Sequence, residues 1–362
     1  MKSFFFYYKQ TFKNIVKNNS VFTTLIASIL MYSFFYPTAY KAQVAENIPI
    51  VIVDEEQSVL SSKIISQTAS SPHIQIQAVT GNFLEAEQMV KNQKAEAILL
   101  LPENLSQSLR RGEMGGIGLY LSTAYFLQTK EAATGLATSI EYTLKEHLEK
   151  FGEASQFEIE LPIHDIPLFN TLSGYGSYIF PAVASLIIHQ TILLGLGMLL
   201  AGYREQKWRP TMTEFFAIFC AILTIGMLGC LYLFGFIYWL NDYPHGGNFS
   251  GMLLAVPIFI GCIVALGMLI STFFDMPERA GHVIVFTSIP LFLLSGTAWP
   301  HAAMPVWMQY LGNVLPSTQG IQMFIQLNQM GVPTALILPK LLYLFMFGIA
   351  CTALAYWRLK HR

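Results

Sequence analysis

The chain has 362 residues, 53% of them apolar and only 12% charged, against roughly 25% charged in an average soluble domain. Its 21 Lys and Arg nearly balance 22 Asp and Glu, yet residues 41–170 alone hold 9 basic and 17 acidic side chains, leaving the remainder net basic. That segregation excludes a single soluble enzyme domain, a disordered chain and a nucleic-acid binder, and predicts a polytopic membrane protein with one water-exposed domain.

Residues 1–19 place Phe4, Phe5, Tyr8, Phe12, Ile15 and Val16 at three- and four-residue spacing, with Lys2, Lys9, Lys13 and Lys17 mostly between them. This is the pattern of a basic amphipathic helix on the inner leaflet, or of a simple positive topogenic tail. Val21–Tyr40 follows as the first apolar stretch. A span needs about 20 apolar residues to cross the hydrocarbon, and no small-residue cleavage site follows this one, so 20–40 reads as a retained anchor.

Residues 41–174 alternate strand and helix signals. Ile48–Val53 reads as a buried strand ending at Asp54-Glu55-Glu56, and Ser58 opens a helix to about Ala69. His73–Val79 is a second strand, Phe83–Asn92 a helix, Ala95–Leu101 a third strand stopped by Pro102, and Glu103–Arg111 a short helix closed by Gly112. Ile117–Leu121 and a long helix over Phe126–Phe151 complete a compact α/β domain. Its carboxylates are scattered and read as solvated surface groups.

From residue 175 onward five further apolar stretches are expected to span: Tyr178–Ala201, Phe215–Leu240, Met252–Phe274, His282–Ala298 and Thr334–Trp357. His189 and Gln190 stand mid-span in the first of these, where a polar group must find a partner helix or a translocation cavity. Gly195, Gly197, Gly226, Gly229, Gly261 and Gly267 allow close helix contacts. The loop 202–214, with Arg204, Glu205, Lys207, Trp208, Arg209, Met212 and Glu214, suits a short cytoplasmic helix that plugs into a partner, or a simple positively charged tether. Residues 299–332 alternate Pro with helix-length apolar pieces and predict a short re-entrant helical hairpin, because Pro at membrane depth needs protein around the carbonyls it frees.

Basic residues set the orientation. They cluster in the N-terminal tail, in 202–214, in 275–281 (Arg279) and in the C-terminal tail (Arg358, Lys360, Arg362), while 241–251 and 299–333 hold none. The positive-inside rule then puts both termini in the cytoplasm and 41–177 outside. Tyr36, Tyr40, Trp239, Tyr243 and Trp299 fall at the outer boundary as an aromatic belt. The four cysteines lie in apolar runs, so neither a disulfide framework nor a zinc pattern is indicated, and no Walker A, HExxH or Gly-x-Ser-x-Gly motif occurs.

The late segment reads Ser295, Gly296 and Pro300, then Met304, Pro305 and Trp307, then Pro316 and Thr318. In these residues the chain resembles the permease subunit of ABC-2 type transporters, in the bacterial branch with a large extracytoplasmic domain after the first span. Gln190 and Arg204-Glu205 match further family positions; Lys207-Trp208 stand where the family usually carries Gly-Thr. The resemblance implies a six-helix permease of an ATP-driven exporter in the bacterial inner membrane, with no catalytic residue of its own. ATP and Mg would be bound by a separate ATP-binding subunit meeting Arg204, Glu205, Trp208, Met212 and Glu214. A second permease copy or paralogue would pair around a path near His189 and Gln190, and a periplasmic adaptor with an outer-membrane channel could join the assembly. The alternatives are a membrane-anchored receptor or scaffold with a ligand-sensing outer domain, and an ion-driven transporter, for which the spans lack carboxylates.

Overall fold

A computed structural model describes residues 3–41, 47–111, 116–121, 133, 135–137, 140–144, 169–170 and 174–361. The chain divides into two units, Met1–Lys41 with Pro167–Arg362 and Ala42–Ile166.

The inserted unit is a four-stranded mixed sheet ordered β2-β1-β3-β4, with β1 Ile48–Asp54, β2 Ile74–Thr80, β3 Ala97–Leu101 and β4 Gly118–Leu121. β1 pairs parallel with both β2 and β3, and β4 closes the edge antiparallel to β3. Helices α3 (Val59–Ala69), α4 (Phe83–Lys91) and α5 (Leu105–Arg110) connect the strands. The chain steps from β1 to one side and returns past it to the other, so right-handed crossovers put α3 and α4 on opposite faces. β1 serves both. Ile50 and Ile52 pack with Leu60 and Ile64 of α3, while Val51 and Val53 pack with Ala86 of α4. A strand covered on both faces must be apolar throughout, which is why 48–53 is a continuous β-branched run rather than an alternation.

Ser58 and Ser61 form a reciprocal capping box at the start of α3. Two carboxylates expected on the surface are structural instead. Asp54 is buried and accepts from Gln57 N–H (2.9 Å) and Ser61 Oγ (2.9 Å); Glu56 accepts from Ser106 N–H (2.6 Å) and the Ser58 hydroxyl (2.6 Å). Together they tie the end of β1 to α3 and α5. The expected helix Phe126–Phe151 and the Gly112 turn lie largely outside the described residues, though 133, 135–137 and 140–144 are helical.

Among the described residues, five helices are long and apolar enough to cross a membrane: α2 Asn19–Ala39, α6 Tyr175–Glu205, α7 Met212–Leu240, α8 Phe249–Ser271 and α13 Thr334–His361. The fifth expected span departs from a single rod. His282–Ala298 is covered by α9 (Pro277–Phe286) and α10 (Ser288–Leu294), broken at Thr287. Pro290 is the cause, since it brings no N–H to the Phe286 carbonyl four residues back and its ring crowds that carbonyl. The chain then folds through α11 (Val306–Val314) and α12 (Pro316–Phe324) before α13.

α6 is the hub. It is apolar around its whole circumference and is the most buried of the five. Glycines set the spacing: a Cβ on Gly226 would stand 2.5 Å from Ile260 Cγ2 and 2.8 Å from Ile192 Cδ1, and one on Gly195 would strike Leu25. The N-terminal helix α1 (Phe4–Lys17) packs along α7 and buries Thr11 and Ile15. Tyr8 hydrogen-bonds Thr224 at 3.0 Å and Asn14 donates to the Tyr203 hydroxyl at 2.7 Å, so α1 is docked on the bundle.

Candidate functional site

The segment between α6 and α7 holds the residues expected to meet a partner. It is not a separate helix: residues 206–211 form a tight turn between the last turn of α6 and the first of α7. The Trp208 N–H donates to Tyr203 C=O (3.2 Å) and the Lys207 N–H to Arg204 C=O (2.8 Å), the pair of bonds that defines a Schellman helix stop. The apolar contact that accompanies this stop is present too, with the Tyr203 and Trp208 rings 5.2 Å apart. A Schellman stop needs one left-handed residue. Here it is Lys207, at φ +56°, a conformation that glycine takes more readily. Pro210 is buried and can donate no backbone bond, and Thr211 then caps α7 by accepting from Glu214 N–H (3.3 Å).

Arg204 is turned inward. Its Nη1 donates to the carbonyls of Ser271 (3.2 Å), Thr272 (2.8 Å) and Phe274 (2.6 Å), and its Nη2 to Asp275 Oδ1 (3.0 Å). Its side chain is 15% exposed where that of Asp275 is 69% exposed. The guanidinium therefore caps the C-terminus of α8, satisfying carbonyls that a helix end leaves without partners. Trp208 Nε1 donates to Glu214 Oε1 at 2.9 Å, which locks the turn to α7. Of the five residues expected at the partner contact, Arg204, Trp208 and Glu214 thus hold the turn to α8 and α7. Glu205 and Met212, the latter 57% exposed, face outward with Lys207 and Arg209.

His189 is 2% exposed inside the bundle, and its Nδ1 has no hydrogen-bond partner among the described residues. Gln190 donates from Nε2 to the Thr287 hydroxyl at 3.3 Å, while its Oε1 accepts nothing among the described residues. Thr287 is the break between α9 and α10, and its hydroxyl also donates back to Ile284 C=O (2.6 Å). Gln190 is therefore bonded to the break between α9 and α10.

The late motif builds the other end of the bundle. Ser295 is buried, donating to Phe292 C=O (2.6 Å), and Gly296 sits at φ +85°, a backbone only glycine takes without strain. Pro300 and Pro305 are exposed, and Pro305 leads into α11; Met304 is buried while Trp307 is 65% exposed. Pro316 begins α12, where its missing N–H costs nothing, and Thr318 is buried beneath Leu294 C=O at 3.5 Å. Tyr178 donates to Thr297 C=O (2.7 Å), fastening the hairpin to α6.

One residue in this region escaped the sequence reading. Lys340 donates Nζ to Gln322 Oε1 (3.2 Å) and Gln326 Oε1 (3.0 Å), and Gln322 in turn donates to Ser295 C=O (3.3 Å). The available signal was that Lys340 is the lone basic residue inside an expected span.

The family described as ABC-2 family transporter protein matches residues 19–357. Two curated Escherichia coli proteins, from strain K12 and from O157:H7, are each 21% identical to the chain over 316 residues, covering 85% of this chain and 84% of theirs. Both are named probable multidrug ABC transporter permease YbhR.

Proposed function

The chain belongs to the ABC-2 transporter family, and from that premise we propose that it is the membrane-spanning permease subunit of an ATP-driven exporter. A separate ATP-binding subunit, holding ATP and Mg, would dock from the cytoplasm on the 203–214 turn. In this reading α9 and α10 cross together as a kinked fifth span of six, both termini face the cytoplasm of the bacterial inner membrane, and the sheet domain stands outside. A second copy or paralogue pairs with it, and a periplasmic adaptor with an outer-membrane channel can extend the path. The names of the two relatives make drugs the first cargo to try.

The observation that carries the proposal is the clamp around the turn. Arg204 binds it to the end of α8, Trp208 and Glu214 bind it to α7, and it is itself the end of α6. A push on Glu205, Lys207, Arg209 and Met212 therefore moves three spans together rather than deforming a loose loop. The motion reaches Gln190 along α6 and, through Thr287, the hinge between α9 and α10. Gln190 is our choice for the residue that senses the path, because a neutral amide can change partners without exposing a charge.

The test separates contact from fold. Replacing exposed Glu205 and Met212 with Ala should abolish stimulation of ATP hydrolysis by transported drug in vesicles holding both subunits, with unchanged elution of the permease. Undiminished stimulation in that double variant would remove the turn from the coupling site.

A further inference from the structure

Close to the turn lies a cleft of about 430 Å³, bounded by Arg204, Lys207, Arg209, Arg358, Asp275 and the buried backbone around Thr272. Volumes of this order are those of small-ligand sites. Charge in it is uneven. Arg204 and Asp275 neutralise one another, whereas Lys207, Arg209 and Arg358 make no ion pair among the described residues. Three cations thus share one cleft without a counter-charge.

Arg358 is the informative one. An arginine at a helix C-terminus ordinarily extends its head into water. This guanidinium instead lies over the Phe273 ring, 4.1 Å from the centroid, and its Nε is sealed from solvent without an acceptor. A guanidinium pinned on a ring with its Nε turned away from water can offer only its terminal N–H groups, and an anion is the group that takes them in charge-assisted bonds. Above it, Leu342, Met346, Ala350 and Leu354 recur every four residues along α13 and end at Arg358. All four are exposed, as is Phe273 beside the guanidinium. An apolar helix stripe with a cation at its foot has the chemistry of an acyl chain and its phosphate.

We propose that this cleft binds the phosphate of an anionic phospholipid, with an acyl chain lying along the Leu342–Leu354 stripe. Arg358 supplies its terminal Nη–H donors, and Lys207 and Arg209 close the site from the turn. Because those two lysine and arginine side chains belong to the segment that meets the ATP-binding subunit, the lipid becomes a structural part of that platform. A basic pocket among span ends is a recurrent headgroup site. The leaflet named, the inner one, rests on the orientation proposed above; the binding chemistry does not.

The experiment uses the purified full chain without any ATP-binding subunit, so it is independent of transport. Native mass spectrometry after incubation with mixed phosphatidylglycerol and phosphatidylcholine should show one phosphatidylglycerol retained with about tenfold preference. Arg358→Gln should bring the two lipids to parity, whereas Lys9→Gln on exposed α1 should leave the preference intact. Should Arg358→Gln elute as aggregate, the double variant Lys207→Gln with Arg209→Gln, both on exposed turn positions, carries the same expectation. Equal retention of the two lipids by the unaltered chain overturns the proposal. So does displacement of phosphatidylglycerol by millimolar inorganic phosphate, which assigns the cleft to free phosphate.

Discussion

The 203–214 turn and the 295–333 hairpin solve one problem, leaving a helix and returning to the bundle, by opposite chemistry. The turn carries Arg204, Glu205, Lys207, Arg209 and Glu214; the hairpin has no Asp, Glu, Lys or Arg at all. In the turn, freed carbonyls are satisfied by a guanidinium. In the hairpin they are met by Thr318, Gln322 and Tyr178, neutral donors that can be buried without a counter-ion. Each also contains a residue at positive φ, Lys207 in the turn and Gly296 in the hairpin. Charge-assisted bonds make the turn stiff at a polar surface, while small residues and prolines make the hairpin stiff where charge would be costly.

The largest effect that could break this contrast comes from Arg204. Arg204→Ala removes four donated bonds and leaves the end of α8 uncapped, which should cost about 3 kcal/mol, read as a lower midpoint of thermal unfolding in detergent. Arg204→Lys should recover less than half of it, because a single ammonium cannot serve the carbonyls and the Asp275 carboxylate from two separate nitrogens as the guanidinium does. A neutral result would make the turn a loose tether after all. Next in size, Gly296→Ala should cost about 1 to 2 kcal/mol, since its Cβ enters an unfavourable backbone region while the nearest neighbour, His301 Cβ at 3.4 Å, only just accommodates it. Smallest, and opposite in sign, Lys207→Gly should stabilise the chain by up to about 1 kcal/mol by relieving the left-handed lysine. A matched Lys207→Ala change should be nearly neutral, which separates backbone strain from lost charge.

Much of the fold was legible. Apolar runs long enough to span and a β-branched run covered on both faces leave little alternative, and Ser58, Asn82 and Thr211 stand directly before the helices they cap. The break at Thr287 was also visible in principle, in Pro290, but averaging over an apolar window hides a single missing N–H. The proposed partner contact was legible only in outline. Charge, Trp and Met marked 202–214, yet they suggested a helix, because local composition does not reveal that Tyr203 and Trp208 close a Schellman stop around Lys207.

Composition, the segregation of charge and the lengths of the apolar runs determined by themselves that the chain is a membrane protein with an inserted α/β unit, since hydrophobic transfer and backbone hydrogen bonding act on each segment alone. Which charged residues are struts and which are free was decided only by the tertiary structure. Arg204 and Arg358 are the same residue at two helix ends, and one meets three carbonyls while the other meets a phenylalanine ring. That difference depends on where α8 ends relative to α6 and α13. Long-range packing sets it, and no local pattern encodes it.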